Sequence, residues 1–248
     1  MMRVETPFAP TSLGRLNPAA KLIAAAVVMI GLLVTADVVT ASIVLGIELG
    51  LLPATGVSLS RLARRAWPLP VAAAGVAVAN LIASDASAAT ISAISLRLLA
   101  IALPGVLVFA STDAVDFADS LVQQLHAPAR FAYGALAAYR LLPMLSTDWD
   151  TIHRARRARG IDAGRSPVGT VRLFLSGVYA LLVAAIRRGT RLAVAMDSRG
   201  FDARRPRSAA REQVVRPVDR WLVAGTVIVV AGANVAAVVA GTWHPVIL

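Results

Sequence analysis

Five apolar stretches, each near the length of a bilayer crossing, constrain this chain more than any other feature: residues 19–36, 38–57, 67–84, 91–110 and 221–241. About 20 apolar residues cover the hydrocarbon core at a helical rise of 1.5 Å per residue. Inside that core every backbone N–H and C=O must be satisfied within the protein, which leaves helices or a closed barrel. Continuous apolar runs, without the alternation of barrel strands, select helices. Hydrophobic residues make up 57% of the chain while aromatics make up only 5%, so the surplus is Ala, Val, Leu and Ile. The sequence therefore predicts an all-α polytopic membrane protein with about five transmembrane helices. The first stretch is the shortest and has the length of a signal-peptide core, but Val34-Thr35-Ala36 is a poor cleavage site and four further spans favour a retained helix.

Basic residues sort the connections by side, because cytoplasmic loops accumulate Lys and Arg. The net charge is +11; Lys21 is the only lysine among 25 basic residues, and part of the arginine bias is compositional. The run Arg61-Leu62-Ala63-Arg64-Arg65 reads as cytoplasmic, whereas residues 84–90 carry one acid and no base and read as external. From Arg130 to Arg220 there are 18 arginines against 7 acids, which assigns that half to the cytoplasm. Five spans then place the N-terminus inside and the short tail from Trp243 outside. The expected location is the cell membrane. With no cysteine, disulfides, thiolate metal sites and cysteine nucleophiles are excluded.

Glu48 and Arg97 fall within proposed spans. Charges at that depth face the bundle interior and find a partner, so the expectation is a structural Glu48–Arg97 pair, with a substrate or proton site as the functional reading and outward snorkelling of Arg97 as a third.

The domain expectation is transmembrane helices over 1–110, a cytoplasmic helical domain over 111–203, and a basic linker with the last span over 204–248. Ser111-Thr112-Asp113 offers N-caps to a helix reaching Leu125. Pro128 and Pro143 are expected to interrupt the next stretch, leaving a basic helix from Met144 to Arg159. A second helix starts near Val168, is apolar through Ile186 and ends at Gly200.

The ends of these two helices match. Ala158-Arg159-Gly160-Ile161-Asp162-Ala163 is repeated 40 residues later as Ser198-Arg199-Gly200-Phe201-Asp202-Ala203. Glycine after a helix is the usual left-handed C-cap, and arginine in the last turn suits the helix dipole. Capping explains Arg and Gly separately. It leaves the repetition beyond the glycine to another cause, and two equivalent arginines on parallel helix ends would suit two similar sockets on a pseudo-symmetric partner.

The paired Ala158-Arg159-Gly160 and Ser198-Arg199-Gly200 resemble the signatures of the transmembrane T component of energy-coupling factor (ECF) type ABC transporters. So do Leu16-Asn17-Pro18-Ala19-Ala20-Lys21-Leu22, Ser111-Thr112-Asp113 and Tyr139-Arg140-Leu141-Leu142-Pro143. Ser198 stands where alanine is common, and a small residue is kept. The resemblance spans roughly residues 16–202. It implies two crossing coupling helices whose Arg159 and Arg199 each contact one of two ATP-binding-cassette ATPase subunits, and a separate substrate-binding membrane subunit for vitamin or transition-metal uptake. Contacts with that subunit are expected on the apolar faces of 136–145 and 168–186. Substrate identity would lie with that other subunit.

Other classes fit less well. No Gly-rich loop leads into Gly-Lys-Ser/Thr, since Lys21 follows Ala20, so ATP hydrolysis is expected in partners and no cofactor is expected here. The Glu-Ala-Ala…Gly coupling signature of other ABC permeases is not found. An intramembrane lipid-head-group transferase would use aspartates like those in Asp197–Asp202, but no second acidic cluster completes a metal site, and His126, His153 and His244 form no ligand motif. Between Arg204 and Arg220 no aromatic is interleaved with the charges, which argues against nucleic acid and leaves the lipid bilayer as the anionic neighbour.

Overall fold

The computed structural model describes residues 12–35, 37–56, 59–83, 87–161, 166–201, 209 and 211–243. Every regular element in them is helical: α1 (Pro18–Val34), α2 (Val38–Leu51), α3 (Leu59–Ala66), α4 (Pro68–Ala83), α5 (Ala88–Ser111), α6 (Ala114–Gln123), α7 (Ala129–Ala158), α8 (Pro167–Ser198) and α9 (Pro217–Val239). The chain forms two compact units, residues 1–127 with 212–248 and residues 128–211. The helix α6, grouped by sequence with the coupling helices, packs on α1 in the first unit. The repeated Asp162-Ala163 and Asp202-Ala203, and the arginines 204, 205 and 207, lie outside the described residues.

Helix starts follow the side-chain chemistry. Asn17, Asp37, Ser87, Asp113 and Ser166 each accept a hydrogen bond from a first-turn backbone N–H, capping α1, α2, α5, α6 and α8. Pro18, Pro167 and Pro217 occupy first-turn positions, where no N–H is missed. The span expected over 38–57 stops at Leu51, because Pro53 begins a 3-10 turn (Pro53–Thr55) closed by Gly56 at φ 69°. Pro143, expected to interrupt its helix, sits inside an unbroken α7. Its own carbonyl accepts from Ser146 Oγ at 2.7 Å and Thr147 Oγ1 at 3.2 Å, and the helix closes over the one lost backbone bond.

In the first unit α1, α2, α5 and α9 share a core of Val28, Leu32, Ala41, Val44, Leu45, Ala100, Leu103, Val230 and Ala233. Small residues let the backbones approach. A β-carbon placed on Gly31 would stand 2.1 Å from Val230 Cγ1. Around the core the helices turn large apolar side chains outward, including Ile82 and Val239, both more than 80% exposed. Leu62–Ala83, Ala88–Ser111, Pro167–Ser198 and Pro217–Val239 are long and apolar enough to cross a membrane, and α1 and α2 are shorter apolar helices. Pro167–Ser198, placed by sequence in the cytoplasmic half with its apolar part 168–186 left open to partial membrane embedding, has the length and composition of a span.

In the second unit α8 runs back along α7. Late α7 meets early α8, where Arg156 Nη1 donates to Leu173 O at 2.9 Å and Trp149 stacks edge-on against Phe174 at 5.4 Å. Early α7 meets the end of α8 at the Tyr133–Phe201 ring contact, 6.3 Å between centroids. Gly177 makes the close passage possible, because a β-carbon there would already lie 3.2 Å from the Trp149 ring.

Candidate functional site: twin arginine-bearing helix ends

The two repeated sequences fold into the same cap. At the end of α7, Ile161 N donates to Arg156 O at 3.0 Å and Gly160 N to Arg157 O at 3.0 Å, with Gly160 at φ 69°. At the end of α8, Phe201 N donates to Met196 O at 3.0 Å and Gly200 N to Asp197 O at 2.9 Å, with Gly200 at φ 73°. These are paired six-to-one and five-to-two closures around a left-handed glycine, the Schellman arrangement. Arg159 (φ −91°, ψ 8°) and Arg199 (φ −90°, ψ 8°) hold matching backbone positions at the cap.

This geometry changes part of the sequence argument. The apolar residue after each glycine belongs to the cap, since its N–H closes the longer bond. The repetition therefore reflects capping as far as Ile161 and Phe201. Capping does not require a guanidinium at Arg159 or Arg199, because the bonds that close each end are all backbone. Ala158, Arg159, Gly160, Ser198, Arg199 and Gly200 are all exposed. Among the described residues neither guanidinium has a hydrogen-bond or ion-pair partner. A planar five-donor group left open at a helix end is suited to a bidentate carboxylate on another molecule.

The ends are not parallel, as the sequence reading supposed. Because α8 returns along α7, Arg159 and Arg199 stand at opposite ends of the pair. A 30-residue helix is about 45 Å long, so the two arginines can reach separate sockets.

The pair is braced by residues that sequence reasoning did not single out. Arg188 Nη1 and Nη2 bind Asp148 Oδ2 and Oδ1 at 2.5 and 3.1 Å. That guanidinium holds the Asp148 carboxyl below the usual carboxylate range. Trp149 also lies 4.2 Å from the His153 ring. The 40-residue separation of Asp148 and Arg188 matches that of the repeated motif, and that was the available signal.

Two motifs carried by the resemblance meet in the first unit. Lys21, 4% exposed, sends Nζ to Ser111 O at 3.2 Å, Ser111 Oγ at 3.4 Å and Thr112 Oγ1 at 3.2 Å. Asn17 N donates to Asp219 Oδ1 at 2.8 Å, and Asp219 Oδ2 accepts from Arg216 N at 2.7 Å. Asp219 is 1% exposed and joins the starts of α1 and α9.

The expected Glu48–Arg97 pair is not formed. Arg97 Nη2 donates to Leu33 O at 3.0 Å, where the last turn of α1 leaves its carbonyls without helical partners. Both Glu48 carboxylate oxygens are buried without a hydrogen bond. Among the described residues no group of three or more His, Asp or Glu is placed to hold a metal ion.

A multi-pass, all-helical membrane unit joined in one chain to a helix pair with twin arginine-bearing ends defines the class of protein. The chain belongs to the cobalt transport protein family CbiQ, which it matches over residues 10–209. It is similar to the energy-coupling factor transporter transmembrane protein EcfT of Staphylococcus aureus, with 30% identity over 128 residues covering 48% of this chain and 47% of that protein. The EcfT proteins of Limosilactobacillus fermentum (31% identity, 54% and 53% covered) and Bacillus subtilis (27%, 56% and 55%) are similar as well. The chain spans about half the length of the curated relatives it matches.

Proposed function

We propose that this chain is the energy-coupling transmembrane subunit of an ECF-type ABC importer. Arg159 and Arg199 each dock into one of two ATP-binding-cassette ATPase subunits, and the α7–α8 pair passes their movement to a separate substrate-binding membrane subunit. The observation that carries this reading is the twin cap: two matching, exposed arginines whose guanidiniums the caps themselves do not use. The family and the EcfT likeness point the same way.

Several features support the remaining parts. Val171, Phe174, Leu175, Tyr179, Leu182 and Ile186 are exposed on α8, while Tyr139, Leu142 and Met144 are exposed on α7. Such surface is covered by lipid or by an apolar partner, and a substrate-binding membrane subunit is such a partner. Arginine density from 130 to 220 orients the helix pair and the N-terminus to the cytoplasm. ATP hydrolysis belongs to the ATPase partners, because this chain has no phosphate-binding loop. The cargo is a vitamin or a transition metal chosen by the substrate subunit.

The test is co-purification of ATPase subunits with wild type and with Arg159→Ala/Arg199→Ala. Wild type retaining two ATPases, with loss of them or uncoupling of hydrolysis from uptake in the double variant, supports the reading. A double variant that associates and couples like wild type overturns it.

A further inference from the structure

A cavity of about 390 Å³ opens in the first unit among α1, α2, α5 and α9. Its volume lies within the range of about 300–1,000 Å³ common for small-molecule sites. The wall is almost wholly apolar, with Val28, Val44, Leu107 and Val229 among its residues. Glu48 and Lys21 are its two ionisable groups. Lys21 is engaged with Ser111 and Thr112, as described above. The hydroxyls on the wall donate to carbonyls of their own segments, Thr55 Oγ1 to Leu52 O at 2.6 Å and Thr226 Oγ1 to Leu222 O at 2.9 Å. That leaves the Glu48 carboxylate, with both oxygens buried and neither hydrogen-bonded.

An acid in such surroundings is costly unless a partner meets it. A water needs two to four polar partners, and the buried unpaired atoms on this wall all belong to the one Glu48 carboxylate. We infer that the cavity is a binding site for an amphiphile with an ammonium head and an aliphatic tail, the head on Glu48 and the tail along the apolar wall. Depth in the bundle agrees. The cavity runs from the start of α1 and α9 and the end of α2 to the middle of the bundle, so a head group at one end and a tail toward the centre fit its length. Trp221, an interfacial residue type, is on its wall. The ammonium has two sources, an aminophospholipid of the bilayer or a soluble long-chain amine. The site does not depend on the coupling role of the arginines.

The intact protein in phosphatidylcholine nanodiscs is titrated with dodecylammonium and with dodecanol, following tryptophan emission. Saturable binding of the amine at least about tenfold tighter than the alcohol is expected, as for a hydrogen bond to a charged group. Glu48→Gln should bring the two ligands within about twofold of each other. Gly225→Leu, placed where a β-carbon meets nothing within 4 Å, should fill the cavity and weaken both. Amine and alcohol binding alike, or amine binding unchanged in Glu48→Gln, overturns the proposal. Should Glu48→Gln not fold, unchanged amine binding by Gly225→Leu overturns it. Native mass spectrometry after extraction from vesicles of phosphatidylethanolamine, phosphatidylglycerol and phosphatidylcholine separates the sources. Phosphatidylethanolamine retained by wild type and lost from Glu48→Gln assigns the bilayer lipid; none retained, with dodecylammonium binding intact, assigns a soluble amine.

Discussion

The two units of this protein are held together in different ways. In the first, four helices approach through alanine and glycine until side chains such as Leu32, Ala100 and Ala237 have no measurable contact with solvent or nearly none. Two of its buried charged groups, Lys21 and Asp219, each join segments far apart in sequence, while Glu48 stays unmatched. In the second, two helices of 30 and 32 residues bury little beyond Ala132 and Gly177. They rest on a few bridging contacts and leave most of their apolar surface open. A tightly packed unit keeps its shape alone. A sparsely packed one depends on what covers it, and that dependence suits a part that must follow the movements of its neighbours.

The largest expected effect comes from removing the twin guanidiniums. Arg159→Ala/Arg199→Ala should reduce ATP-driven uptake in vesicles more than about tenfold while the yield of folded protein stays near wild type, because both residues are exposed and make no internal contact. A drop in folded yield matching the drop in uptake would show that the helix ends are structural after all.

Gly31→Leu attacks the packed unit. With Val230 Cγ1 2.1 Å from the position of a β-carbon, α1 and α9 must part. The cost is about 1–3 kcal/mol or more, read as a lower thermal midpoint or lost monodispersity in detergent. Asp219→Ala leaves the N–H groups of Asn17 and Arg216 without their charged acceptor and should cost about 1.5–3 kcal/mol. A midpoint unchanged in either variant would mean that the first unit is looser than its packing implies.

Gly177→Leu should cost less, about 1 kcal/mol, because the second unit has open space into which Trp149 and Arg156 can shift. Comparable losses for Gly31→Leu and Gly177→Leu would dissolve the contrast between the units.

Asp148→Asn is expected to have the smallest effect, since its bond to Arg188 is solvent-accessible. The folded carboxyl is held below its ordinary value, so the stability it contributes is present above about pH 4 and is lost as pH falls through the folded value. The difference in thermal midpoint between wild type and Asp148→Asn should therefore shrink on acidification through that window.

The bundle was legible because apolar runs of membrane length leave few alternatives, and the caps at Asp113 and Gly160 were legible because these residues act on their nearest neighbours. Long-range relations were not. Glu48 and Arg97 both lie within proposed spans, yet each position is fixed by helix packing, and Arg97 finds the open carbonyl of Leu33 first. The helix runs on through Pro143, whereas local preference argued for a break. That α8 reverses along α7 follows from Tyr133–Phe201 and Arg156–Leu173, contacts that no periodicity encodes. The repeat was read for a reason only half right, since the apolar residue after each glycine belongs to the cap.

The unbroken α7 also acts as a ruler and a protractor. Each residue inserted between the Trp149 crossing and Arg159 would advance the guanidinium by about 1.5 Å and swing it by about 100° around the axis. Seven inserted residues would lengthen the reach by about 10.5 Å and nearly restore the bearing. One or two would aim the same arginine, at almost the same distance, into the wrong quadrant. A change of length that keeps the guanidinium on its bearing comes only in steps that return to phase, so direction is counted in residues as strictly as distance is.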